Sequence, residues 1–165
     1  GLLHPVMGPD HLVAMVAVGL WGAQLGPPAL WVLPIVFPVV MAFGGLLGLL
    51  GVDVPLIEVG IALSALLLGL AVATGFRAGL AIIATLVGVF AIFHGHAHGT
   101  ELPASANAFA YGTGFVISTG LLHLAGILIG VLVHWPAGAM VVRACGAVVA
   151  LVGAYYLAIA SGALA

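Results

Sequence analysis

The sequence predicts an all-α polytopic membrane protein, a bundle of six transmembrane helices with both termini on the periplasmic side. Three observations carry that prediction. The 165 residues are 65% hydrophobic and only 4% charged, where a soluble domain carries roughly a quarter charged residues. So few charges cannot cover a water-facing surface, and lipid must face most of the chain. Apolar stretches such as 29–50 are continuous rather than alternating, which excludes a transmembrane β-barrel. Finally, proline, glycine and the rare charged residues interrupt the apolar sequence at intervals that suit the ~20 residues a bilayer core of about 30 Å demands of a helix.

The first helix, 10–26, follows Pro9 and stops at Pro27-Pro28. The second, 29–50, runs on to the turn at Asp53-Val54-Pro55, with Pro34 and Pro38 expected to kink it. The third, 55–75, starts at Pro55, carries Glu58 in its first turn and ends at Gly75. The fourth, 78–98, follows Arg77 and ends in a run of histidines. Thr100-Glu101-Leu102-Pro103 separates it from the fifth, 104–133, and His134-Trp135-Pro136 separates that from the sixth, 137–162. Connections of a few residues make 1–165 a single integral membrane domain with no room for an ATPase domain or a hydrolase elbow. Any energy source is then an ion gradient or the substrate's own gradient. Four pairs at Gly-x3-Gly spacing, Gly22/Gly26, Gly44/Gly48, Gly95/Gly99 and Gly126/Gly130, predict close helix packing.

Orientation follows from the two cations. Arg77 lies in the third loop and Arg143 near the start of the sixth helix, so the odd loops face the cytoplasm. Asp53 and Glu101 then fall in outward loops, and Trp21, Trp31 and Trp135 flank the inner interface as an aromatic belt. An outward chain start without an initiator Met matches a chain whose N-terminal signal peptide has been removed. Two cations exclude nucleic-acid binding, and a lone cysteine, Cys145, excludes a disulfide framework.

Seven histidines against two Lys/Arg are the anomaly of the composition, and they gather in two motifs. His4-Pro-Val-Met-Gly-Pro-Asp10-His11 opens the first helix; His94-Gly-His96-Ala-His98-Gly-Thr-Glu101 closes the fourth. An outward start for helix one and an outward end for helix four put both motifs at one membrane face. On a continued helix His94, His98 and Glu101 share a face while His96 points elsewhere. Imidazoles with one or two carboxylates suit nickel, cobalt, zinc or copper rather than magnesium or calcium. Asp10 and Glu58 fit either a cap or a metal-facing role, and Asp53, Glu58 and Glu101 lend the outer vestibule negative potential. His123, deep in helix five beside Ser118 and Thr119, fits a helix-bridging hydrogen bond or an inward pathway. Facing histidines are also how a membrane b-type cytochrome holds haem, and a metal-sensing membrane subunit would use the same side chains.

Taken together, HPVMGPDH and FHGHAHGTE in a six-span, glycine-rich chain resemble the HupE/UreJ family of nickel permeases, whose members accompany bacterial hydrogenase and urease gene sets. Across essentially the whole chain the resemblance implies an inner-membrane secondary transporter, not an enzyme, whose substrate is the nickel ion, with cobalt, zinc or copper as alternatives and no organic cofactor. It implies His4, Asp10, His11, His94, His98 and Glu101 as metal-handling residues; His96 falls where the family pattern is variable. The implied partners are the metal ion, the lipid bilayer and, indirectly, hydrogenase or urease assembly. A homo-oligomer is compatible with the sequence but not required by it.

Overall fold

A computed structural model describes Leu2, residues 4–103 and residues 105–164, with only the backbone described at His4. Among the described residues it is all-helical: α1 (His4–Met7), α2 (Pro9–Leu25), α3 (Ala29–Leu49), α4 (Ile57–Thr74), α5 (Leu80–Thr100), α6 (Ala108–Gly130), a 3₁₀ turn (Val131–His134) and α7 (Pro136–Ala160). Ahead of the first long helix, the first motif makes the single turn α1 before Gly8 interrupts it. The expected start of the fifth helix at 104 moves to Ala108, because the Asn107 side chain caps it by accepting from the Ala110 N–H at 2.9 Å. Toward the other end of the second motif, α5 carries its helical ladder through His98 to Thr100.

Among the described residues, five segments are long and apolar enough to cross a bilayer: α3, α4, α5, α6 with its 3₁₀ extension, and α7. Helix α2 has 17 residues, the short end of what a span needs, and it occupies the middle of the bundle with Met15, Val18, Leu20 and Trp21 fully buried. Trp21 therefore does not belong to an interfacial belt. Its indole N–H donates to the Phe76 carbonyl at 3.1 Å, which is how a buried indole avoids an unmet donor, while Trp31 and Trp135 are exposed.

Glycine dictates the pairing. In lipid, association rests on close backbone packing, and a Cβ on Gly95 or Gly99 would run into the carbonyls of Met41 or Gly45, sealing α5 to α3. Gly19 of α2 and Gly126 of α6 meet each other's backbone in the same way, and Gly69, Gly146 and Gly153 join α4 to α7. The contacts run in parallel register for α3/α5 and α2/α6 and in antiparallel register for α4/α7. Exchanging the first three long helices with the last three maps α2/α6 onto α5/α3 and α4/α7 onto itself. The pairing thus has the connectivity of a three-plus-three repeat, although the two histidine motifs do not superpose under it. The Gly22/Gly26 pair acts differently: Gly22 faces the backbone of Ala29 and Leu30 at the start of α3, whereas Gly26 sits at φ 77° and terminates α2, a conformation glycine adopts without strain.

Both arginines lie at one end of the bundle and cap helix carbonyls. Arg77 donates to the Gln24 carbonyl at 3.0 Å, and Arg143 to those of Ala73 and Thr74 at 2.7 and 3.3 Å, satisfying acceptors that a helix C-terminus leaves open. The start of α2, the start of α4 and the end of α5 gather at the opposite end.

Candidate metal site

At that opposite end the two motifs meet. His11, in the first turn of α2, packs its ring 4.2 Å (centroid to centroid) from both His94 and His98 of α5. The i, i+4 spacing of the two α5 histidines presents both to α2, and all three are buried. Among the described residues no three His, Cys, Asp or Glu side chains converge on one point as a metal shell; the imidazoles instead stand edge to face against one another. His11 and His94 are in contact, leaving no slot between them for a porphyrin.

Above the imidazoles a cavity of about 290 Å³ is lined by Asp10, His11, Glu58, His98 and Glu101, with Met7 at its rim. Asp10 Oδ1 accepts from the His11 backbone N–H at 2.9 Å and lies 3.9 Å from His11 Nδ1. It thus secures the first turn of α2 and lines the cavity at once. Glu101, just past the end of α5, brings Oε2 to 3.6 Å from His98 Nδ1. Glu58 is within electrostatic reach of both Asp10 and Glu101. Three carboxylates over a nest of neutral-capable imidazoles, with both arginines at the far end of the bundle, give this mouth an attraction for cations.

Hydrogen bonding assigns the tautomers of two rings. The Ser64 hydroxyl donates to the Ile61 carbonyl at 2.6 Å. Its single proton being spent there, the 2.7 Å contact between Ser64 Oγ and His94 Nε2 requires His94 Nε2–H as donor. His94 Nδ1, buried and without a hydrogen-bond partner, then offers its lone pair, which is the way a ligating imidazole is held from its far nitrogen. His96 does not join the cluster. Its Nε2–H donates to the Val52 carbonyl at 2.7 Å, anchoring the loop between α3 and α4.

The remaining expected residues divide. Asp53 is exposed in that loop and is not among the residues lining the cavity. The His4 side chain lies outside the described residues. His123 is deep in α6, against Phe37, whose ring also contacts His94, at 5.4 Å and 5.5 Å respectively. Four further residues were not singled out from sequence: Ser64; Phe37; Tyr156 of α7, within electrostatic reach of Asp10; and Tyr111 of α6, similarly near Glu101. Ser64 alone had a usable signal, since a polar side chain inside a span needs a partner.

Fold and site define a helical, multi-pass membrane protein with a buried imidazole cluster under an acidic mouth. The family model for HupE / UreJ protein matches residues 1–156, and the chain belongs to that family, a transporter-type family associated with nickel and cobalt uptake. Protein HupE of Rhizobium leguminosarum bv. viciae is 46% identical over 157 residues, covering 95% of this chain and 82% of that protein. No solved structure matches the chain.

Proposed function

We propose that this chain is a permease that imports divalent nickel, with cobalt as the next candidate, across the bacterial inner membrane to supply hydrogenase or urease maturation. The carrying observation is the convergence of two motifs more than eighty residues apart: His11 touches both His94 and His98 beneath a cavity walled by Asp10, Glu58 and Glu101. In this account α2 is a sixth span, the mouth is periplasmic, and the arginine end is cytoplasmic in accord with the positive-inside rule.

A hydrated cation is drawn to the carboxylates and exchanges waters for them. His11, His94 and His98 then turn from one another onto the ion, replacing ring contacts with nitrogen ligands of the borderline softness that nickel favours. Ser64 holds His94 with Nδ1 free for the ion, and Asp10 and Glu101 ligate or orient the neighbouring imidazoles. His4 is assigned to the same mouth from its motif alone. The testing experiment is uptake of radioactive nickel, in competition with cobalt, zinc and copper, by cells expressing the wild type, Asp10→Asn or the double variant His94→Ala/His98→Ala. Saturable uptake lost in both variants, at unchanged protein level in the membrane, is the expected result. Wild-type uptake equal to that of empty cells rejects the proposal.

A further inference from the structure

Deeper in the bundle lies a second set of polar atoms that the outer site leaves unused. His123 of α6 is 1% exposed, and neither ring nitrogen has a partner in hydrogen-bond geometry; the carbonyl of Pro34 on α3 interacts with the ring at looser geometry. That carbonyl is open for a covalent reason. In an unbroken helix it would accept from the backbone N–H of residue 38, but residue 38 is proline and has none. One turn before His123, Thr119 is fully buried with its hydroxyl 4.0 Å from the sulfur of Met41, itself a buried residue of α3. Phe37, on the same helix as Pro34 and Met41, makes edge contacts with both His94 and His123.

We propose that His123, Thr119 and Met41 form an inner station for the transported cation, with the Pro34 carbonyl orienting the His123 ring and the Phe37 ring lying against both His123 and His94. This rests on the transport function proposed above and adds a second binding point to it. Polar groups inside a membrane span are costly and need a reason to be there. An imidazole whose one N–H turns to a backbone carbonyl presents a lone pair on its other nitrogen, the arrangement seen in ligating histidines. Imidazole, thioether and hydroxyl together suit a partly dehydrated cation of borderline softness, and offer too few oxygens for magnesium or calcium. None of the three donors is acidic, so the inner station holds a divalent cation less tightly than the carboxylate-rich mouth. Conduction needs that, because an ion must bind well enough to enter and weakly enough to leave.

The test uses the full chain in lipid nanodiscs with cobalt(II) alone as a spectroscopic probe. The expected result is two cobalt ions per chain, one of them with a sulfur-to-cobalt charge-transfer band. Met41→Leu, a swap of similar volume that a packed core tolerates, abolishes that band. His123→Gln weakens the same ion by about tenfold or more, and Asp10→Asn weakens the other. A single cobalt per chain, sensitive to Asp10→Asn and unchanged by Met41→Leu and His123→Gln, overturns the inner station and leaves transport standing. No cobalt in the wild type overturns both.

Discussion

Ser64→Ala isolates the chemistry of His94 from its packing. Ser64 is fully buried, and its hydroxyl is the acceptor 2.7 Å from His94 Nε2 while donating to the Ile61 carbonyl at 2.6 Å. Removing the oxygen leaves both His94 nitrogens buried without a partner, which costs about 1–3 kcal/mol of stability. It also frees the ring to change tautomer and to rotate away from the ion. Loss of such a supporting hydrogen bond lowers metal affinity by about 10–100-fold, equivalent to roughly 1.4–2.8 kcal/mol of binding free energy. The assay is nickel titration of the purified variant alongside its thermal unfolding without metal. Affinity down by that factor with a modest drop in Tm is the expected pair of results, and Ser64→Thr, which keeps the hydroxyl, restores affinity. Unchanged affinity together with lowered Tm would refute the tautomer argument and leave Ser64 a packing residue.

Gly95→Val should separate α3 from α5, because its Cβ meets the Met41 carbonyl, whereas Gly88→Ala, whose Cβ would have only ordinary contacts at 3.8 Å, should leave the Tm of the purified protein within a few degrees of wild type; similar stability for the two would contradict the glycine-sealed pairing. Glu58→Gln should lower nickel uptake most at low ionic strength and least at high, since its effect through the cavity is electrostatic and salt screens it; a deficit independent of salt would make Glu58 a direct ligand instead. Arg143→Gln should yield a fraction of chains in inverted orientation, detected by labelling single cysteines from each side of the membrane, because half of the chain's cationic charge is lost. Full retention of orientation would show that Arg143 matters only as the cap of α4.

What could be read from the sequence is what local chemistry determines. Prolines and glycines mark helix breaks by their own backbone constraints, so the ranges of the long helices fall within a few residues of expectation, and the shift from 104 to Ala108 reflects an asparagine cap that outranks the proline break at Pro103. That the two motifs share one end of the bundle followed from counting turns of chain. Pairing between distant helices was only partly visible. The spacing of Gly44/Gly48 and Gly95/Gly99 announced close packing but not that these two pairs meet each other, and Gly69, Gly146 and Gly153 join α4 to α7 without the Gly-x3-Gly pattern. The site shows the same limit. His94 and His98 share a face by helical period, while the direction of His96 toward Val52 and the contact of Phe37 with two histidines depend on packing that no local pattern encodes. Trp21 looked interfacial because it is near a helix end, yet its partner Phe76 lies 55 residues away in sequence.

The convergence of two distant motifs into one conducting site is tested most directly in proteoliposomes that hold only the purified chain and an entrapped fluorescent nickel chelator. Saturable nickel influx through the wild type, reduced to the level of empty liposomes both by Asp10→Asn in the first motif and by His94→Ala/His98→Ala in the second, is the predicted result. Wild-type influx no greater than that of empty liposomes, or influx that survives loss of either motif, would contradict it.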